Sequence, residues 1–190
     1  MELFAIFMGA ALINNIILSQ FLGICPFLGV SKKANQAIGM GAAVVFVTFM
    51  SSILTYMLYY FILAPFNITF MQTIAFIVVI ATLVQFVEMV IKKFTPALYK
   101  SLGVFLPLMA TNCAILGTAN NIITREYNFI EAIIFSLGIS IGFAMVLYLF
   151  STLRERLDIA PTARSFKGIP IAIITASIMA LAFFGLGGLV

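Results

Sequence analysis

The chain of 190 residues contains no histidine and no tryptophan, and its only cysteines are Cys25 and Cys113. Histidine is the usual protein ligand of haem and zinc and the commonest general base. Its absence excludes most haem sites, most zinc sites and most acid–base active sites. Any chemistry that this sequence carries must therefore use the two cysteines or a bound cofactor.

Charged residues are scarce as well, since they make up 8% of the chain, whereas hydrophobic residues make up 64%. So few polar side chains cannot cover a soluble globule of this length, and the composition predicts an integral membrane protein surrounded by lipid. The net charge of +4 does not indicate a nucleic-acid partner. The ten basic residues are spread along the membrane boundaries and are not clustered on one face.

Six apolar stretches fill the sequence almost end to end and predict an all-α membrane protein with six transmembrane helices. The polar connections are too short to fold alone, so we expect a single transmembrane domain over residues 1–190. The fourth helix is expected to open with Thr95 as its N-cap and Pro96 as its first residue, and the fifth carries a GxxxG pair, Gly138 and Gly142, that predicts a close helix contact. The predicted helices span residues 3–18, 37–63, 70–91, 95–117, 129–150 and 168–190.

Lys and Arg are distributed unevenly between the loops on the two sides of the membrane. The loops after the first, third and fifth helices hold nine of the ten basic residues, and the other side has Arg125 alone. By the positive-inside rule, both termini lie outside the cytoplasm. The charged cluster after the fifth helix is interpreted as a solvated cytoplasmic loop, with docking of a partner as the alternative; it contains Arg154, Glu155, Arg156 and Asp158.

Six helices divide into two sets of three. A duplicated half with an odd number of spans must be inserted upside down relative to the first half. We therefore predict a 3+3 inverted repeat with halves at about residues 1–95 and 96–190. In such a repeat, equivalent segments of the two halves face each other near the middle of the membrane.

The pattern CxxLG occurs once in each half, at 25–29 and at 113–117. Each copy lies in an apolar stretch that is interrupted by glycine, with Pro26 beside the first cysteine and Asn112 beside the second. Proline and glycine are unusual in an uninterrupted spanning helix. We therefore expect broken helices at both cysteine segments.

The two cysteines have four chemical interpretations. They are buried packing residues, which is common for free cysteine, or they form a disulfide, although dithiol redox enzymes usually present a CxxC pair. A zinc site would need four nitrogen or sulfur ligands. An iron–sulfur cluster normally takes four thiolates, of which this chain supplies half. In that case a second polypeptide supplies the other half, and the cofactor lies on the interface.

Longer motifs carry a resemblance that covers essentially the whole chain. They are NNIILSQFLGICPFLGVSKK at 14–33, LVQFVEM at 83–89, LGVFLPLMATNCAILG at 102–117 and RERL at 154–157. Together they resemble the A-subunit family of the Rnf complexes, which are ion-translocating ferredoxin:NAD oxidoreductases. The related E subunit of the sodium-pumping NADH:quinone oxidoreductase is similar too. There, however, threonine usually follows the counterpart of Cys25, so the CPF sequence here favours the Rnf family.

The resemblance implies that Cys25 and Cys113 are ligands of an intramembrane [2Fe–2S] cluster. The other two cysteine ligands would come from the paralogous E subunit of the Rnf complex, which is inserted in the opposite orientation. The resemblance also implies a complex in the bacterial inner membrane with the B, C, D and G subunits of Rnf. In that complex the chain relays electrons between ferredoxin and NAD while sodium ions or protons are moved.

A cluster held by four thiolates is negatively charged, and in hydrocarbon this charge would be costly without hydrogen-bond donors nearby. We expect backbone N–H groups around three glycines and two neighbouring polar side chains to supply these donors. These residues are Gly23, Gly29, Gly117, Thr111 and Asn112.

Two functions of other classes compete with the electron-transfer hypothesis. Inverted repeats and broken helices are typical of small secondary transporters, which have no reason to bind iron. A membrane protein that only anchors its partners would tolerate the replacement of either cysteine by serine. Iron content and cysteine substitution therefore separate the three hypotheses.

Overall fold

The computed structural model describes residues 2–31, 34–66, 69–94, 106–159 and 167–186, and every regular element in these ranges is helical. The prediction of an all-α protein is therefore confirmed for the described residues. The helices in chain order are α1 Glu2–Met8, α2 Ile16–Gln20, α3 Ile24–Val30, α4 Ala34–Leu58, α5 Ala64–Phe66, α6 Gln72–Phe94, α7 Leu106–Ala110, α8 Cys113–Thr124, α9 Phe129–Ile159 and α10 Ile169–Leu186. The π-helical turns Gly9–Ile13 and Tyr59–Leu63 extend α1 and α4, and a 3₁₀ turn, Thr69–Met71, precedes α6.

Three of the described helices are long and apolar enough to cross a membrane: Ala34–Leu63, Gln72–Lys93 and Phe129–Ile159. Two further apolar helices are shorter, Leu3–Ile13 and Ile169–Gly185. A spanning helix needs about 20 apolar residues. The described part of the chain is thus a multi-helix membrane protein, and six complete spans stay a prediction.

The helix α9 forms the centre of the bundle. Of its most apolar segment 56% is buried, compared with 17% for α6. The glycines Gly138 and Gly142 lie against α1 and its π-helical turn, and a Cβ on Gly138 would lie 2.9 Å from the carbonyl oxygen of Phe7. The predicted close-contact face of the GxxxG pair is confirmed, because only glycine lets the two backbones approach this closely.

The fifth predicted helix ends later than the sequence indicated. It was expected to end at residue 150, but α9 is 31 residues long and continues to Ile159, so the first part of the predicted polar loop is helical. A helix of this length measures about 46 Å, which exceeds the hydrocarbon thickness of about 30 Å. Its charged last turns therefore extend beyond the apolar layer without ending the helix.

The first predicted helix, 3–18, is interrupted earlier than expected. The side-chain oxygen of Asn15 accepts a hydrogen bond from the backbone N–H of Ile17 at 3.2 Å, and Asn15 thereby N-caps α2. Its Nδ2 donates to the carbonyl oxygen of Ala11 at 3.1 Å. A polar residue that looked like a helix-interior group thus marks a helix boundary.

The fourth predicted helix, 95–117, is described from residue 106 onward, and its predicted N-cap lies outside the described residues. It ends later than predicted, since α8 continues to Thr124. Near the end of α8, the side-chain amides of Asn120 and Asn121 form hydrogen bonds with side chains of neighbouring segments. Gln72 Nε2 donates to Asn120 Oδ1 at 3.1 Å, and Asn121 Nδ2 donates to Gln20 Oε1 at 3.3 Å.

Candidate functional site

The chain leaves the helical conformation between α2 and α3, just before Cys25. Phe21 has a φ of 55° and Gly23 a φ of 84°, which is the left-handed region that glycine adopts without strain. A Cβ on Gly23 would also lie 2.8 Å from Cε2 of Phe143 and 3.0 Å from Cβ of Ala114. Glycine is therefore required at this break both by backbone conformation and by space.

The second break lies between α7 and α8 and comes directly before Cys113. Asn112 is extended, with φ −71° and ψ 109°, and its Oδ1 accepts a hydrogen bond from the backbone N–H of Ala114 at 3.0 Å. Asn112 is thus the N-cap of α8, and Cys113 is the first residue of that helix. Cys25 is the second residue of α3. The prediction of broken helices at both cysteine segments is confirmed.

The two breaks contact each other across 90 residues of sequence. The backbone N–H of Gly23 donates a hydrogen bond to Sγ of Cys113, with 2.8 Å between nitrogen and sulfur. Beside it, Leu22 packs on Gly117 so closely that a Cβ there would lie 2.5 Å from Cδ1 of Leu22. The two cysteine segments therefore contact each other, whereas the inverted repeat and their position near the middle of the membrane stay predictions.

Both thiols are free, and they differ in exposure: Cys25 is exposed, whereas Cys113 is half-buried. Cys113 lies between two clefts of about 220 and 170 Å³. The larger cleft is lined by Thr111 and Asn112 together with Ile77 and Ile80 of α6. An exposed cysteine does not pack the core of this chain, and free thiols do not support the disulfide interpretation.

The side-chain amide of Asn112 carries a donor without a partner. The residue is 3% exposed, and its Nδ2 makes no hydrogen bond within the described part of the protein. A buried donor without an acceptor costs about 1–3 kcal/mol. Because Asn112 lines the same cleft as Cys113, an acceptor bound in that cleft would remove this cost.

The other residues expected to support a cofactor are placed in different ways. Thr111 is exposed, and its Oγ1 donates to the carbonyl oxygen of Leu108 at 3.5 Å. Gly29 and Gly117 lie inside α3 and α8, where backbone N–H groups are normally used within the helix. Their role as donors to a cofactor stays a prediction, and the contact seen at Gly117 is one of packing.

The described residues contain no group of three or more His, Cys, Asp or Glu side chains that could hold a metal ion. Two thiols alone do not complete a tetrahedral sulfur site. Cys25 and Cys113 would supply two of the four thiolates that such a site needs; Cys25 is exposed, and it does not line either of the two clefts beside Cys113.

Arg154 was predicted to lie in a solvated loop, and that prediction is wrong. The residue is 6% exposed, and its Nη1 donates to the carbonyl oxygen of Leu28 at 2.8 Å and to Oγ of Ser31 at 2.9 Å. The neighbouring Glu155 accepts a hydrogen bond from the backbone N–H of Ala34 at 2.9 Å. These charged side chains thus bind the end of the first cysteine segment and the start of α4.

The spacing of apolar residues in α9 could have indicated that Arg154 is buried. Phe143, Leu147, Phe150 and Arg154 follow one another at intervals of three or four residues, which places them on one helix face. The first three are fully buried. Arg154 therefore continues a buried face, and the surrounding charges concealed this pattern.

The fold and the site together define a multi-pass helical membrane protein whose two free cysteines lie at helix breaks that contact each other. A family model described as "Rnf-Nqr subunit, membrane protein" matches residues 3–190. The chain belongs to this Rnf-Nqr family of membrane proteins.

Individual relatives support the same assignment. The A subunit of the ion-translocating oxidoreductase complex of Syntrophotalea carbinolica is 52% identical over 189 residues, which cover 100% of this chain and 98% of the relative. The A subunit of the Na(+)-translocating ferredoxin:NAD(+) oxidoreductase complex of Acetobacterium woodii is 51% identical with the same coverage. The A subunit of the ion-translocating oxidoreductase complex of Vibrio cholerae is 49% identical, also over 189 residues. The resemblance drawn from the motifs is confirmed, and these relatives are subunits of enzyme complexes.

Proposed function

We propose that this chain is the A subunit of an ion-translocating ferredoxin:NAD oxidoreductase complex and relays electrons through an intramembrane [2Fe–2S] cluster. The observation that carries the proposal is the hydrogen bond from Gly23 to Sγ of Cys113, which joins the two cysteine segments. Relatives about half identical over the full chain carry the corresponding names. The ions moved by the complex are sodium ions or protons, and the name of the Acetobacterium woodii relative specifies sodium.

Cys25 and Cys113 would hold the cluster, which supplies one-electron transfer when it is bound. The backbone N–H of Gly23 donates to Sγ of Cys113, and Nδ2 of Asn112, which has no partner among the described residues, would be a second donor in the same cleft to offset negative charge on the cluster. Apolar side chains of the adjoining cleft, such as Ile77, exclude water from Cys113. The remaining two thiolates come from the paralogous E subunit, which docks over the exposed Cys25 in the opposite orientation.

The proposed topology is a single domain of six spans in a 3+3 inverted repeat, with both termini outside the cytoplasm of the bacterial inner membrane. The order of elements supports a repeat, because a broken segment followed by two longer helices occurs twice. In the first half these are α2 with α3, then α4 and α6; in the second half they are α7 with α8, then α9 and α10. The uneven distribution of Lys and Arg supports the orientation. The B, C, D, E and G subunits of Rnf are the proposed partners.

Electron paramagnetic resonance of the reduced, purified complex tests the proposal, with iron measured in parallel. Cys25→Ser and Cys113→Ser are each expected to remove one [2Fe–2S] signal and to stop electron flow while the complex still assembles. Thr82→Ser, an equally small change on the exposed side of α6, is the matched control and should leave both unchanged. If the signal and the turnover persist in both cysteine variants, the cysteines are not ligands. A complex without iron would instead favour a transporter.

A further inference from the structure

One face of α9 runs along the whole first cysteine segment. At the upstream end of the segment, Cε2 of Phe143 lies where a side chain on Gly23 would begin. In the middle, the ring of Phe150 stacks on the ring of Phe27 with 4.2 Å between centroids and 23° between planes. At the downstream end, Arg154 holds the last turn. The segment that carries Cys25 is thus attached to α9 at three points.

The Arg154 contact is made with the carboxyl end of α3. Leu28 is in the last turn of this helix, and Ser31 is its C-cap residue. Carbonyl groups at a helix end have no partner within the helix, and a cation there interacts favourably with the helix dipole. Ser31 is fully buried and Arg154 nearly so, so water does not compete for these hydrogen bonds.

The helix α3 needs such external support because it has only seven residues and a proline at its third position. Isolated helices of this length are not stable in water, and Pro26 contributes no N–H group to the helix. Cys25 is exposed, so its own side chain gives the segment no anchoring contact in the core. The position of the cysteine therefore depends on the contacts made by the rest of α3.

We propose that Arg154 is a positioning residue for Cys25. By binding the carbonyl oxygen of Leu28 and the hydroxyl of Ser31, it fixes the depth and rotation of the short helix on which the thiol is carried. The inference rests on the proposed function to the extent that Cys25 holds a cluster. The anchoring of α3 itself does not depend on the cluster.

The experiment compares Arg154→Gln, Arg154→Lys and Ser31→Ala with the control Arg156→Gln, which removes an exposed arginine of the same helix. The first readout is the alkylation rate of Cys25 in the full chain in detergent, with labelling at Cys113 resolved by peptide mass spectrometry. The second readout is the [2Fe–2S] signal of the purified complex. Neither depends on turnover.

Arg154→Gln is expected to raise the alkylation rate of Cys25 severalfold and to shift, broaden or remove the [2Fe–2S] signal. Ser31→Ala should have a smaller effect of the same kind, because it removes one of the two acceptors. Arg154→Lys keeps the charge and should partly restore both readouts. Arg156→Gln should match the wild type.

Wild-type rates and spectra in Arg154→Gln and Ser31→Ala would overturn the proposal. If Arg154→Gln does not assemble, Ser31→Ala decides, and unchanged labelling of Cys25 in that variant counts against Arg154. If the wild-type complex has no [2Fe–2S] signal, the proposed function fails, while the alkylation rates still test the anchor independently.

Discussion

Replacing Gly23 by alanine is expected to disrupt the contact between the two cysteine segments. The change adds one methyl group at the point where three parts of the chain meet. Its Cβ would lie 2.8 Å from Cε2 of Phe143, 3.0 Å from Cβ of Ala114 and 3.4 Å from Oδ1 of Asn112. None of these neighbours moves easily, because all three residues are buried.

The loss of stability has two sources. Alanine at the φ of 84° found for Gly23 costs about 1–2 kcal/mol. Overpacking a tightly packed core costs about 1–3 kcal/mol more, so the free energy of unfolding should fall by about 2–5 kcal/mol in total.

Two other glycines of the chain separate these sources. Gly168 also has a positive φ, of 94°, but no atom lies within 4 Å of the position that a Cβ would take, so Gly168→Ala adds strain alone. Gly9 has open space and an ordinary φ, so Gly9→Ala adds neither strain nor overlap. Gly9→Ala is therefore expected to be the most stable of the three variants, Gly168→Ala the next and Gly23→Ala the least stable.

The assay is unfolding of the full chain by SDS in mixed micelles, followed by far-ultraviolet circular dichroism. If the proposed cluster is bound, the [2Fe–2S] signal of the purified complex should weaken in Gly23→Ala and stay unchanged in the two controls, since only Gly23→Ala displaces the backbone N–H that donates to Cys113. Equal stability of Gly23→Ala and Gly168→Ala would refute the packing argument. An unchanged cluster signal in Gly23→Ala would refute its role at the site.

Two further predictions concern the caps and the aromatic stack. Removal of an N-cap costs about 1 kcal/mol, and we expect Asn112→Ala to cost less than this, because it also removes a buried Nδ2 that has no partner among the described residues. Asn15→Ala should lower the free energy of unfolding more in the same assay, because it also removes the hydrogen bond from Nδ2 of Asn15 to Ala11. Nδ2 of Asn112 has no such partner in the described part of the chain. A larger loss for Asn112→Ala than for Asn15→Ala would contradict this reasoning. Phe150→Ala removes the fully buried ring stacked on Phe27 and should lower the free energy of unfolding by about 3–5 kcal/mol. Tyr148→Ala, on the exposed side of the same helix, is the control, and equal losses would show that the stack is unimportant.

Several features of the fold were predictable because they depend on composition or on local pattern. The shortage of charged residues indicated a membrane protein whatever its topology. The long apolar stretches predicted α4, α6 and α9 within a few residues at their starts. Both helix breaks were predicted, but glycine forms only the first, at Gly23; the second is formed by the N-cap Asn112, and Gly117 lies inside α8.

Helix ends were predicted less well, because the end of an apolar stretch in the sequence need not be the end of a helix. The first helical segment ends with Asn14 as its C-cap and Asn15 caps α2, although the residues around them are apolar enough for a continuous span. The helix α9 continues past its apolar part, where Arg154 and Glu155 form hydrogen bonds with α3, Ser31 and the start of α4.

By itself the sequence determined the class of protein, the two cysteine segments and the family, through composition and motif. Only the tertiary structure decided that Gly23 donates to Cys113 and that Arg154 is buried against α3. These contacts join residues 90 and 126 positions apart. Whether a charged side chain is solvated or buried depends on what lies opposite it, and the burial of Arg154 requires the helix-end carbonyl of Leu28 and the hydroxyl of Ser31 that the fold places there.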